Sequence, residues 1–319
     1  MIDRKRILLS LAVIGVTLCA CPVVLRAGGT TTYDFLRSDV SARAAALGGS
    51  FVTMTDDPNS IFYNPAGLAS LTANRVSFGF FKHLLDINSG YASYGTEIPN
   101  LGHVGFGALY INYGQFQQTG EEGQNLGTFG AGEFALSAGY AGEIESGFNY
   151  GVNAKFIYSS IANYHSSGAA LDFGLLYSAV PQRLILGASL LNLGTQLNPY
   201  INTKEDLPLD LKIGASIYPE HLPAAILVSF DGLNEYQNNF ADHLKAFAVG
   251  VEFTASPNVQ LRFGYNNENR QDLTIGQSAG FAGLSLGIGF TNNTYTIDYG
   301  YTSYGKIGDL HRVSIALAL

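Results

Sequence analysis

From about Asn74 onward the chain repeats one pattern: segments of roughly ten residues in which every second side chain is apolar, joined by connections that are alternately short and long. Phe247, Val249, Val251 and Phe253 alternate with small or polar residues. Val259, Leu261, Phe263 and Tyr265 do the same, as do Leu284, Leu286, Ile288 and Phe290. Successive side chains of a strand point to opposite faces, so each segment has one apolar face and one small or polar face. A soluble sandwich gives that alternation too. Strand number, the sorting of connections by length and an export signal separate the two readings.

Strands are expected near 74–81, 90–97, 102–112, 132–143, 148–159, 168–180, 183–193, 209–218, 223–231, 244–253, 257–266, 280–290, 294–301 and 310–319, fourteen in all. The connections 98–101, 145–147, 180–183, 219–223, 254–258 and 291–293 are tight and rich in Pro, Gly and Asn, as turns require. The longer ones, 82–89, 114–131, 160–167, 194–208, 232–243, 267–279 and 302–309, fall strictly between them. A membrane barrel sorts its connections this way, with short periplasmic turns and long outer loops. The expected fold is therefore all-β, a 14-stranded antiparallel transmembrane β-barrel in the outer membrane of a Gram-negative bacterium. An even strand number places both termini on the periplasmic side.

Hydrophobic residues make up 47% of the 319 and charged residues 13%, yet beyond the N-terminus no apolar run is long enough for a spanning helix. The apolar residues are spread thin, as strands facing outer-membrane lipid need. Trp is absent, while Tyr and Phe number 19 and 20, so interfacial girdles must be built from these two. Tyr110, Tyr140, Tyr158, Tyr177, Tyr299 and Tyr301 are the candidates. A net charge of −8 argues against nucleic acid as a partner.

The first residues are charged, and an apolar stretch continues to Arg26-Ala27, which reads as a signal peptide over 1–27. Cys19 and Cys21 both lie within it, so the mature chain has neither a disulfide nor a thiolate metal site. Residues 28–73 lack the strand alternation and form a plug or periplasmic segment; 74–319 form the barrel. Within 28–73, Val40 to Leu47 predicts a short helix stopped by Gly48 and Gly49. Irregular backbone cannot face hydrocarbon, so this segment belongs in the barrel mouth or inside it.

If the apolar face meets lipid, Arg75, Lys155, Asp172, Lys212, Asp231, Glu252, Arg262, Asp298 and Arg312 face the lumen. They form either a rigidifying hydrogen-bonded network or a substrate pathway. Mixed signs do not make an ion-selective ring.

Several motifs mislead. Gly283-Leu284-Ser285-Leu286-Gly287 has the spacing of a nucleophile elbow but sits in a strand rather than at a strand-to-helix turn. Gly300 to Lys306 resembles a phosphate loop, yet Ile307 stands where magnesium needs a hydroxyl, and a hairpin loop is expected instead. Asp56-Asp57-Pro58-Asn59 lacks the spacing of a calcium loop and reads as a turn with a helix cap. His83, His103, His165, His221, His243 and His311 are scattered singly. No catalytic residue, metal or cofactor is expected.

Tyr33-Asp34-Phe35-Leu36, then ARAAALGG from Ala42 to Gly49, then DDPNSIFYNPAGLA from Asp56 to Ala69 resemble the leading segment of the PorV/PorQ family. That family is similar to the wider group of FadL-like barrels. The signature falls on Leu47, Gly48, Gly49, Asp56, Asp57, Asn64, Pro65, Ala66 and Gly67. Physically, Gly48 and Gly49 allow positive φ, Pro65 fixes the chain, and the Asn64 amide can serve unpaired backbone groups, which together suit a structural lock. The resemblance implies a 14-stranded FadL-like barrel serving type IX secretion. Its partners would be C-terminal signal domains of secreted proteins or other secretion-complex subunits. The alternative is a FadL-like channel for long-chain fatty acids or other hydrophobic small molecules. One departure concerns the end of the chain, Ser314 to Leu319, where many such barrels finish on an aromatic residue.

Overall fold

The computed structural model describes residues 31–83, 86–234, 244–273 and 280–319; the expected signal peptide, Cys19, Cys21 and His243 lie outside the described residues. Fourteen antiparallel strands close into a barrel in which each pairs with its sequence neighbours and β1 pairs with β14. They are β1 (Arg75–Lys82), β2 (Asn88–Ile98), β3 (Gly102–Thr119), β4 (Asn125–Glu145), β5 (Phe148–Ile161), β6 (Tyr164–Val180), β7 (Leu184–Asn198), β8 (Asp210–Ile217), β9 (Ala224–Phe230), β10 (Phe247–Ser256), β11 (Val259–Asn266), β12 (Leu284–Thr291), β13 (Tyr295–Ser303) and β14 (Asp309–Ala318).

Alternation decides which face each residue joins. In β12, Leu284, Leu286, Ile288 and Phe290 are exposed, whereas Ser285 and Gly289 between them are buried. Phe78, Phe80, Phe106, Leu136, Phe156, Phe263 and Ile315 extend the same exposed apolar surface around the ring. A surface of this extent is the lipid face of a transmembrane barrel. The inner face is built instead from buried Ser77, Ser93, Ser137, Ser189, Ser229 and Ser314, with charges between them.

Two of the expected long connections are corrected. Over 114–131 and 160–167 the strands run on: only 120–124 separate β3 from β4, and only Ala162 and Asn163 separate β5 from β6. Beyond the hydrocarbon the chain can leave its backbone to water or continue the ladder, and continued pairing satisfies it internally. The two ends of the barrel nonetheless differ. The rim with short turns also carries the C-terminus, where Leu319 N donates to Asn74 O. The opposite end, the loop rim, carries 199–209 and, of the connections after β9 and β11, the described residues 231–234, 244–246, 267–273 and 280–283.

Ahead of β1, residues 31–74 run down the inside of the ring. Thr31 bridges to Asp206 at the loop rim, the far end from Leu319. Turns of 3-10 helix follow at Asp34–Arg37, Pro58–Phe62 and Pro65–Ser70, with a short α-helix at Ala42–Ala46. The Ser41 side chain accepts from Ala44 N to cap that helix. Gly48 and Gly49, with φ of 68° and 85°, close it by donating to Ala45 O and Ala44 O. Leu47, Phe51, Ile61 and Leu68 are fully buried, each worth about 2 kcal/mol of apolar burial. Among the described residues no helix is long and apolar enough to cross a membrane.

Candidate functional site

The lumen is the site, and the inserted segment, a plug, fills it through two kinds of seat. On β2 to β6 the seat is glycine. A methyl group at Gly105 would come within 2.7 Å of Leu68, and one at Gly107 within 2.8 Å of Phe62. At Gly151 and Gly174 an added Cβ would collide with Pro65 and Asn64, so plug backbone lies directly on wall backbone. Asn64 joins the two: its Oδ1 accepts from Ala66 N at 3.1 Å, while its Nδ2 donates to Val52 O at 2.7 Å and to Leu175 O of β6 at 3.1 Å. Gly67 belongs to the same packing, with Ser60 Cβ 2.6 Å from where its own Cβ would be.

On β10 to β13 the seat is charged. Arg43 projects from the plug helix and grips Glu252 of β10 with two bonds, Nε to Oε2 at 2.8 Å and Nη2 to Oε1 at 2.6 Å. Its Nη1 reaches Asp57 at 3.1 Å. Glu252 also accepts from Arg262 Nε at 2.6 Å, and Arg262 Nη1 donates to Asp298 Oδ1 at 2.6 Å. Buried charges persist only when paired and hydrogen-bonded, and here the carboxylates and guanidinia alternate along one chain. Glycine serves on this side as well, where a Cβ at Gly300 would lie 2.5 Å from Ala42 O.

The remaining expected lumen residues are all engaged. Arg75 Nη2 donates to Asp56 at 2.6 Å, and Asp56, at φ 53°, also accepts from Thr72 N. Lys155 lies 2.9 Å from Asp172 and donates to Asn192 at 2.7 Å; Asp172 is fully buried and also receives Asn153 Nδ2. Lys212 lies between Asp210 and Asp231. Arg312 donates to Thr302 and lies over the Phe81 ring, 5.3 Å from its centre. Asp57 accepts from Asn59 N and caps the Pro58–Phe62 turn.

Sequence reasoning missed Arg43 as a contact, although it is the single charge in an otherwise alanine helix. It also missed Asp39, whose carboxyl burial pushes up against the lowering pull of Arg312 and Lys212. Ser285 is buried in β12 and meets Thr302 at 3.4 Å. His165 pairs with Tyr158 and His311 with Tyr299, side by side on neighbouring strands. Among the described residues no group of three or more His, Cys, Asp or Glu is placed to hold a metal.

No family model matches this chain, and no curated protein matches it in sequence. In fold it is similar to the toluene transporter TodX of P. putida, at 11% identity and a TM-score of 0.60 over 88% of this chain and 98% of that one. The toluene transporter TbuX of Ralstonia pickettii gives 12% and 0.56, over 87% and 97%. A FadL homologue of Pseudomonas aeruginosa gives 9% and 0.54, over 91% and 100%. At such identities the shared property is the fold, a FadL-like barrel. Nothing in these matches speaks for the PorV/PorQ family.

Proposed function

We propose that this barrel is a non-enzymatic channel for hydrophobic small molecules in the outer membrane of a Gram-negative bacterium, with the loop rim outward. The observation that carries the reading is a lumen occupied along its length by the chain's own leading segment, within a fold matched almost end to end by hydrocarbon transporters. The lumen flank on β1 to β5 supports it. There Phe62 of the plug lies edge-on to Tyr91, and Phe35, Phe81, Leu109, Ile111 and Ile157 belong to the same buried cluster, an apolar surface that suits an uncharged solute better than an ion. The signature and lumen residues then act as one lock that holds the plug.

The secretion reading rests on the leading segment alone, and those residues have structural work to do: Gly48 and Gly49 end a helix, Asp56 and Asp57 hold turns, Asn64 ties plug to wall. None of these roles needs a secreted cargo.

The test is uptake of a monoaromatic hydrocarbon and of a long-chain fatty acid by a deletion strain and its complemented parent. The deletion should slow at least one of them. Unimpaired uptake of both, with secreted proteins left unattached at the cell surface, would overturn the channel and favour the secretion partner. Mass spectrometry of protein purified from native membrane provides a second check, since bound hydrophobic molecules and stoichiometric secretion subunits are opposite results.

A further inference from the structure

The wall is unequally paired around its circumference. The β3–β4 ladder extends over fifteen residue pairs, while β8–β9 has five, from Ile213–Phe230 to Ile217–Ile226. Toward the loop rim β8 continues through Leu211 and Asp210 with no strand partner in β9, and the two chains fork. Three side-chain bonds and one backbone bond bridge the fork. Asn234 Oδ1 accepts from Leu211 N, and Asn234 Nδ2 donates to Leu209 O, each at 2.9 Å. Asp210 Oδ1 accepts from Gly232 N at 2.9 Å, and Leu233 N donates to Leu211 O at 3.1 Å.

Lys212 stands at the fork with its Nζ 3.0 Å from Asp210 Oδ2 and 3.6 Å from Asp231 Oδ1. That Asp231 oxygen is buried and accepts no hydrogen bond, so only charge holds it. Behind the three lies a cavity of about 330 Å³, lined also by Asp34, Arg37, Asp39, Glu268 and Asp272. A buried carboxylate and a largely buried one thus share one ammonium, while Asp39 from the plug and Glu268 from the rim helix Asn267–Asp272 add negative charge from other sides. Buried like charges repel strongly, and one proton relieves the repulsion.

We propose that Asp210, Lys212 and Asp231 form a proton-sensitive latch on the β8–β9 fork, shut when the triad carries an extra proton and loosened when that proton leaves. Burial, the largest influence, with Asp210, Asp39 and Glu268, pushes Asp231 up to about 7 against the lowering pull of Lys212. In an open, hydrated fork the same carboxyl returns to about 3.9. A carboxyl raised in the closed state favours closure at low pH. The opening constant therefore rises by up to about tenfold per pH unit until about pH 7 and then levels. The latch does not depend on what the barrel carries.

Hydrogen exchange on the full-length protein in nanodiscs, followed from about pH 5 to 8.5 and corrected for intrinsic rates, tests it. Protection of the Leu211 and Leu233 amides should fall at least tenfold between about pH 5 and 7, while amides of β4 and β5 stay constant. Asp231→Asn should flatten the profile at the wild-type low-pH level, and Asp39→Asn should move the midpoint to lower pH. A flat wild-type profile, a wild-type profile kept by Asp231→Asn, or an unmoved midpoint in Asp39→Asn would each overturn the latch.

Discussion

The two seats of the plug solve one problem by opposite means. On β2 to β6 the wall gives up side chains, so that Pro65, Ala66 and Leu68 rest against backbone; on β10 to β13 it supplies Glu252, Arg262 and Asp298 and receives Arg43. The glycine seat is sensitive to added volume and indifferent to charge. The ionic seat depends on every charged partner staying in place and, at Gly264 and Gly300, is closed to added volume as well. A plug held this way resists displacement on one side by shape and on the other by electrostatics added to shape.

Arg43→Ala is the sharpest way to break the comparison. It leaves Glu252 short of its bidentate partner and Asp57 without its cation, and should cost about 4 kcal/mol in thermal or denaturant unfolding of the folded barrel. A loss below about 1 kcal/mol, the range of an exposed pair, would mean that the ionic seat is not a seat. Gly174→Val should cost about 3 kcal/mol by forcing Asn64 and Pro65 off the wall. Here the plug should also become susceptible to added protease, and a variant as resistant as the parent would refute the close-approach picture. Asn64→Ala removes a cap and two carbonyl partners without adding volume, for about 2 kcal/mol. The smallest effect belongs to the half-exposed pair Arg183–Glu220 on the rim, where Arg183→Ala should cost about 0.5 kcal/mol or less. A larger value there would show that rim charges matter as much as lumen ones.

All fourteen strands were legible in the sequence because alternation is a local property, visible in runs such as Leu284 to Phe290 without knowing the partner strand. The short helix was legible for the same reason, from its alanines and the two glycines that stop it. Partner choice was not. Nothing local ties Arg43 to Glu252, 209 residues away, or Lys155 to Asn192, whose φ of 61° creates the bulge that brings its amide inward. The glycines opposite the apolar face read simply as small. Their spacing, as in Gly105 and Gly107, was the available sign that something must approach the wall closely. The run-on of β3 and β4 past the membrane also escaped, since Gln115 to Asn125 has a loop's composition while its backbone stays paired as far as Thr119.

The seam between β1 and β14 joins the first strand of the ring to its last, the pairing with the longest loop to close. The segment sealed inside precedes β1 in the chain and passes from the loop rim to the opposite end. The pairing that closes the ring thus also encloses a segment that comes before it in the chain.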